Sequence, residues 1–305
     1  MSSPRPLWSH LLLVATGLVL VGCGGGSGPS EPGEPLPDET ILVAGNIATC
    51  GTTNDELTAA LLDTLPGTIF TLGDNAFPDG SINAYTGCYD PSWGRHKSRT
   101  YAALGNHEYA SGSAEPSFDY FGDRAGPRDL GYYSLDLGNW HIIVLNVNDI
   151  TVNPNLPFEG SAQDQWLTQD LKKHSRTCTL VIGHNPRFFS SDTVGWTSNA
   201  YVTSLWRRLY DNKVDVVLTG QQHDYERLAP MTPTGSVDAA AGIREFNVGT
   251  GGESTETMTA VAEHSEVRSD AFGILKLTLG SGTYDWQFVP AVAGQFSDTG
   301  SGTCH

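Results

Sequence analysis

Short apolar runs that each break off at a glycine followed by a polar side chain constrain this chain more than any other feature. Ile41 to Gly45 stops at Asn46, Thr68 to Leu72 leads into Gly73-Asp74, Cys178 to Ile182 into Gly183-His184, and Val214 to Leu218 into Gly220-Gln221-Gln222-His223. Apolar runs this short, bounded by glycine, read as buried strands rather than helices. Between the first two, Asn54 is the predicted cap of a helix that buries Leu57, Leu61 and Leu65 before Pro66-Gly67 ends it, giving a strand-helix-strand unit. Ligands of open α/β sheets sit beyond the carboxyl ends of strands, so the polar residues there are candidates for chemistry.

The pattern continues along the chain. Tyr132 to Leu137 and Trp140 to Asn146 flank Gly138-Asn139 as a hairpin, and Ser161 with Asp164 opens a helix carrying Trp166, Leu167 and Leu171. A further helix spans Tyr201 to Tyr210, and Phe246 to Val248, Phe272 to Leu279 and Tyr284 to Val289 read as closing strands of a mainly antiparallel region. Helices interleaved early and strands clustered late predict two packed sheets flanked by helices. Residues 75–98 and 109–130 read as long loops, which in a compact domain usually carry function. No internal repeat is present.

The N-terminal 22 residues place one Arg before an apolar run from Leu11 to Val21, much shorter than the roughly 20 residues of a membrane span, and read as an export signal. Leu20-Val21-Gly22-Cys23 resembles a bacterial lipobox, so Cys23 is expected to carry lipid and the protein to be anchored at the cell envelope or, if the Cys is incidental, secreted. Residues 23–39, rich in Gly, Pro and Glu, are the predicted tether, and 40–305 the single domain. Acidic residues outnumber basic ones 34 to 17, which argues against duplex nucleic acid as a partner and leaves the lipid as the one expected membrane contact. Apart from Cys23 the cysteines number four, Cys50, Cys88, Cys178 and Cys304. An even number in an oxidising compartment points to two disulfides, and no two lie close enough in sequence for a thiolate zinc knuckle.

Taken in order, Gly45-Asn46, Gly73-Asp74-Asn75-Ala76-Phe77, Gly105-Asn106-His107-Glu108, His184-Asn185-Pro186 and Gly220-Gln221-Gln222-His223, followed by Tyr225-Glu226-Arg227, resemble the calcineurin-like metallophosphoesterases, most closely the purple acid phosphatase branch and its bacterial relatives. The resemblance covers about residues 40–304. It implies an α+β or α/β fold, a four-layer α/β/β/α sandwich with two packed mixed β-sheets. It also implies hydrolysis of phosphate mono- or diesters with one or two divalent metal ions such as Fe, Zn or Mn. Asp74 is the implied bridge between metals, Asn106 and His184 serve the second, His223 serves the first, and His107 protonates the leaving oxygen or holds the phosphate.

Three positions depart from the family pattern. Asn46 stands in place of a metal-binding Asp, Gln221 in place of a metal-binding His, and Phe77 in place of the tyrosine whose phenolate colours ferric centres. These changes imply weaker metal binding at both sites and a better occupied second site. The alternative to an active hydrolase is a phosphoesterase fold that has lost turnover and binds a phosphorylated ligand or a partner at the cell surface. His141 reads as structural, His96, His174 and His264 as surface residues, and Arg95, Lys97 and Arg99 as a solvated basic run or a contact for an anionic substrate. Four cysteines allow three pairings; Cys50 with Cys88 and Cys178 with Cys304 is preferred. The first pair flanks neighbouring strand ends, and the second pins the C-terminal tail to the strand that leads to His184.

Overall fold

Alternating burial along the strands stacks two sheets face to face. In chain order the strands are β1 (Glu39–Ala44), β2 (Ala48–Thr49), β3 (Thr68–Leu72), β4 (Ala76–Phe77), β5 (Thr100–Ala103), β6 (Tyr133–Leu137) and β7 (Trp140–Val144), with helix α1 (Asn54–Thr64) before β3 and α2 (Glu115–Phe121) before β6. They continue as β8 (Cys178–Ile182), β9 (Val216–Thr219), β10 (Tyr225–Leu228), β11 (Arg244–Val248), β12 (Ser265–Ser269), β13 (Gly273–Leu279), β14 (Thr283–Pro290) and β15 (Thr299–Thr303), with α3 (Ala162–Lys173) before β8 and α4 (Thr203–Asp211) before β9. This computed structural model describes residues 36–148, 158–174 and 176–305; the predicted signal segment, Cys23 and the tether up to residue 35 lie outside the described residues.

One sheet has the order β15-β14-β13-β1-β3-β5 and the other β12-β10-β11-β9-β8-β7-β6, while β2 and β4 form a short parallel pair. Within them β1, β3 and β5 run parallel, as do β7, β8, β9 and β11. Ile142, Val144, Leu180, Ile182, Val216 and Leu218 join the core that includes Ile41, Ile69 and Leu277 of the first sheet. Their neighbours Ile143, Val181 and Val217 belong instead to the cluster of Leu167 and Leu171 from α3 and Leu205, Trp206 and Leu209 from α4. Burying each such side chain contributes about 1.5–3 kcal/mol, and a register slip of one residue would exchange the two faces, so the alternation fixes the layers. On the first sheet α1 packs against β13, and the 3-10 turn Trp93–Arg99 packs on β3 and β5.

Several expectations are corrected. Helix α1 starts at Asn54, which caps nothing, and its inner face is Asp55, Thr58, Ala59 and Leu62 while Leu57 is exposed. That face is polar because Thr58 Oγ1 donates to the Gly251 carbonyl and accepts from Trp93 Nε1, and Ser92 Oγ donates to Asp55. The expected loop 75–98 folds into β4 and successive helical turns, and 109–130 contains α2. Both are held by an aromatic cluster, with Tyr85 stacked on Tyr120 at 4.8 Å and edge-on to Phe121 at 5.6 Å. β11 pairs in parallel with β9 on one side and antiparallel with β10 on the other, so it joins the parallel strands to the expected antiparallel region.

The basic run is consumed internally. Arg95 binds Glu56 and Asp63, Arg99 donates to the Leu62, Leu65 and Gly67 carbonyls at the end of α1, and Lys97 sits 4.1 Å over the Tyr120 ring. His96 and His174 are half-buried rather than free on the surface. His96 lies 2.9 Å from Asp63, and His174 stacks on His141 at 4.4 Å. Cys50 is bonded to Cys88 and Cys178 to Cys304. Glu39, counted with the tether, already pairs with Leu279 in β1. Among the described residues no helix is long and apolar enough to cross a membrane.

Candidate metal centre

The parallel strands end together, and their carboxyl ends carry the predicted residues to one place. Asn46, Asp74 and Asn106 follow β1, β3 and β5 of one sheet; His184, Gln221 and His223 follow β8 and β9 of the other. Asn46 and Asp74 have φ of 53° and 52°, left-handed values that Asn and Asp accept more readily than other side chains. The packing is tight enough that a Cβ on Gly105 would fall 2.1 Å from Asp74 Oδ1.

Asp74 is fully buried. Its Oδ1 accepts the His107 amide at 2.8 Å, whereas Oδ2 has no hydrogen-bond partner. Oδ2 instead lies 3.1 Å from His184 Nε2, which is 3.2 Å from Asn106 Oδ1. His184 Nδ1 donates to the Leu72 carbonyl at 2.7 Å, so Nε2 carries the lone pair. A carboxylate oxygen, an amide oxygen and an imidazole lone pair therefore converge with no donor among them, a set that a divalent cation satisfies. Electrostatics agree. Burial would raise the Asp74 pKa, but His184 and then His107 hold it down; burial would lower that of His184, but the Asp74 carboxylate pulls it up.

The His223 half is built differently. His223 Nδ1 lies 2.7 Å from Ser254 Oγ and 3.1 Å from Glu253 Oε2, and Ser254 Oγ donates to the same carboxylate. The segment after β11 wraps the ring: Glu253 N donates to the Asn46 carbonyl and Glu256 N to that of His223, each at 2.9 Å. Asn46 directs Nδ2 toward the Gln221 carbonyl at 3.5 Å and keeps Oδ1 buried and without a partner. The Gln221 side chain is engaged elsewhere, its Oε1 accepting from Asn185 Nδ2 at 3.0 Å. Phe77 lies 4.3 Å from the His107 ring, tilted at 46° to it, and offers no donor atom. His107 Nδ1 donates to the Pro78 carbonyl, leaving Nε2 4.0 Å from Asp74 Oδ2.

Two site residues escaped the sequence reasoning. Buried Glu108 accepts the amides of Asp74, Asn75 and Gly105 at 2.6–2.8 Å, stapling the ends of β3 and β5. Burial, followed by Asp74, raises its pKa. It stands in the Gly-Asn-His-Glu block but was given no role there. Glu253 follows Gly251-Gly252 after the run Phe246 to Val248, the same strand-glycine-polar signal that found the others.

The comparisons with known proteins bear on this arrangement. Purple acid phosphatase 23 of Arabidopsis thaliana is 28% identical over 170 residues, 50% of this chain and 36% of that protein. Purple acid phosphatase 1 of Ipomoea batatas is 27% identical over 219 residues, 65% and 45% respectively. The chain thus spans about a third to a half of the curated relatives it matches. The purple acid phosphatase PPD1 of yellow lupin, Lupinus luteus, shares the fold with a TM-score of 0.65 at 17% identity, covering 89% of this chain and 54% of that one. The family model described as calcineurin-like phosphoesterase matches residues 39–225, from β1 through the strand ends that carry Asp74, His184 and His223, and this chain belongs to that family.

Proposed function

We propose that the protein hydrolyses phosphate esters with one or two divalent metal ions, iron, zinc, manganese or similar. The carrying observation is the buried Asp74 Oδ2, without a hydrogen-bond partner and 3.1 Å from a His184 nitrogen that itself faces Asn106. In this reading Asp74, Asn106 and His184 hold one ion, and Asp74, His223 and Asn46 the other. Bound divalent ions supply Lewis acidity toward the phosphoryl oxygens and lower the pKa of water. The chain does the rest. Asp74 would serve both positions, Glu108 fixes the amides beneath it, and His107 Nε2 would hold the proton that the leaving oxygen takes.

The test is metal content of the purified protein, paired with hydrolysis of an aryl phosphate monoester and a diester across several divalent ions. Metal-dependent hydrolysis of either ester is the expected result. A protein that binds no metal and cleaves neither would sink the proposal.

A second reading has its own support. Neutral Asn46 and a Gln221 oxygen engaged by Asn185 favour a binder of phosphorylated ligands that has lost turnover. Filling both sites by Asn46→Asp with Gln221→His and still seeing no hydrolysis would favour it. Export and anchoring at Cys23 belong to the same proposal, as does the division into signal segment, tether and domain. The two disulfides support an oxidising destination. Mass spectrometry of the mature chain, expected to begin at a diacylglyceryl-modified Cys23, would reject it on finding an unmodified residue.

A further inference from the structure

A cavity of about 380 Å³ opens beside the candidate centre and shares Asn106 and Gln221 with it. Among the described residues no carboxylate, guanidinium, ammonium or imidazole lines it; apart from Pro186 the lining is amide and aromatic. We infer that this cavity receives an uncharged aryl or heteroaryl leaving group of the phosphate ester, stacked on Trp196. The inference rests on the hydrolase reading above and names the ester class it would take.

Trp196 is 51% exposed, which is unusual for the largest apolar side chain and leaves an indole face open. It is not adrift. Phe189, almost fully buried, supports it edge-on with centroids 5.0 Å apart at 82°. Its loop is pinned at Ser190, whose amide and hydroxyl both reach buried Glu226. A supported, open aromatic face binds planar groups.

The floor adds directional contacts. Asn185 Nδ2 is spent on Gln221 Oε1, so Asn185 Oδ1, buried without a partner, is a free acceptor and the Gln221 amide nitrogen a free donor beside it. Asn199 spends its side-chain oxygen on the Tyr201 amide, which leaves its nitrogen as another donor. Neutral donors and acceptors can hold a hydroxyl, carbonyl or ring nitrogen but cannot neutralise a second anion. A chain of net charge −17 supplies no diffuse compensation. Polyanionic leaving groups are therefore disfavoured. Asn106, whose Oδ1 lies 3.2 Å from His184 Nε2, also lines the cavity, so the cavity is within reach of an ester whose phosphoryl group meets the centre.

The experiment compares phenyl phosphate, 2-naphthyl phosphate and a sulfonated 2-naphthyl phosphate on the metal-loaded protein. Phenol and 2-naphthol are similar leaving groups, so the second ring reads stacking rather than chemistry. A KM roughly tenfold lower for the naphthyl ester is expected, lost on sulfonation, lost in Trp196→Ala and largely kept in Trp196→Phe. Equal KM values for phenyl and naphthyl esters, or an advantage that survives Trp196→Ala, overturn the inference. If none of the esters is hydrolysed, the hydrolase reading fails by itself, and calorimetric binding of the phenyl and naphthyl esters decides the cavity: a naphthyl preference that depends on Trp196 supports it, and equal binding overturns it.

Discussion

The two halves of the candidate centre orient an imidazole by different means. His184 is fully buried, and its outward nitrogen is held by the Leu72 main-chain carbonyl, a neutral partner that moves only with the sheet. His223 is partly exposed and faces a carboxylate, Glu253, itself 23% exposed, through a serine in the same loop. A carboxylate behind a ligating histidine raises its basicity more than a carbonyl does. Negative charge is thus returned one residue outward from where Asn46 leaves it missing. One half is thus held by the sheet and the other by a loop.

Breaking that comparison most completely is Asp74→Ala, which removes the group common to both halves. Metal content should fall to background with at least about a hundredfold loss of hydrolysis, beyond the 10–100-fold that outer partners command. Glu253→Gln should separate the halves, weakening by roughly 10–100-fold only the ion near His223 in a titration followed by calorimetry. Equal weakening at both, or none, would break the contrast. Asn46→Asp should sharpen it, tightening the same ion by about tenfold through one added charge. Gln221→His should give less, since Asn185 must first release the side chain's position. Neighbouring changes around Asp74 will not add simply.

The smallest effect lies away from the centre and serves as its control. Burial would lower the His141 pKa, but Asp170 and Asp136, each 2.8 Å from a ring nitrogen, raise it overall. The stacked His174, itself held low by burial and then by His141, and Arg176 on Asp136 complete that surround. A raised folded value means the stabilisation is complete below the unfolded pKa of about 6.5 and fades as pH climbs through the folded one. Thermal melts of His141→Asn against wild type should differ by about 1–3 kcal/mol below roughly pH 6, and the gap should narrow in alkali. A gap constant with pH would show that His141 acts by packing alone.

Much of this was legible because chemistry and strand ends coincide in sequence. A buried parallel strand needs an apolar run, and the turn beyond it needs glycine, so Gly73-Asp74 and Gly183-His184 announce both structure and site. Compensation was harder to read. Arg95, Lys97 and Arg99 look like a free basic patch until α1 and, for Lys97, the Tyr120 ring of α2 supply their partners. β15 has no strand-like composition, because Gly300 and Gly302 lie against the Trp286 and Tyr284 rings, where any Cβ would come within 2.2 Å of ring atoms. Pairing that depends on what a distant strand lacks leaves no periodic trace. Glu253 shows a third limit: its signal was present, but its meaning depends on contact with His223 across 30 residues.

The left-handed backbone at positions 46 and 74 restricts which mutations evolution can sample there. Leaving that conformation to an ordinary side chain costs roughly 1–2 kcal/mol, so glycine, asparagine and aspartate form nearly the whole permitted alphabet. Within it, asparagine and aspartate are isosteric and their codons differ by a single base. Position 46 can therefore gain or lose a full charge in one genetic step while keeping the backbone conformation the turn requires, so charge at this buried position is set apart from backbone geometry.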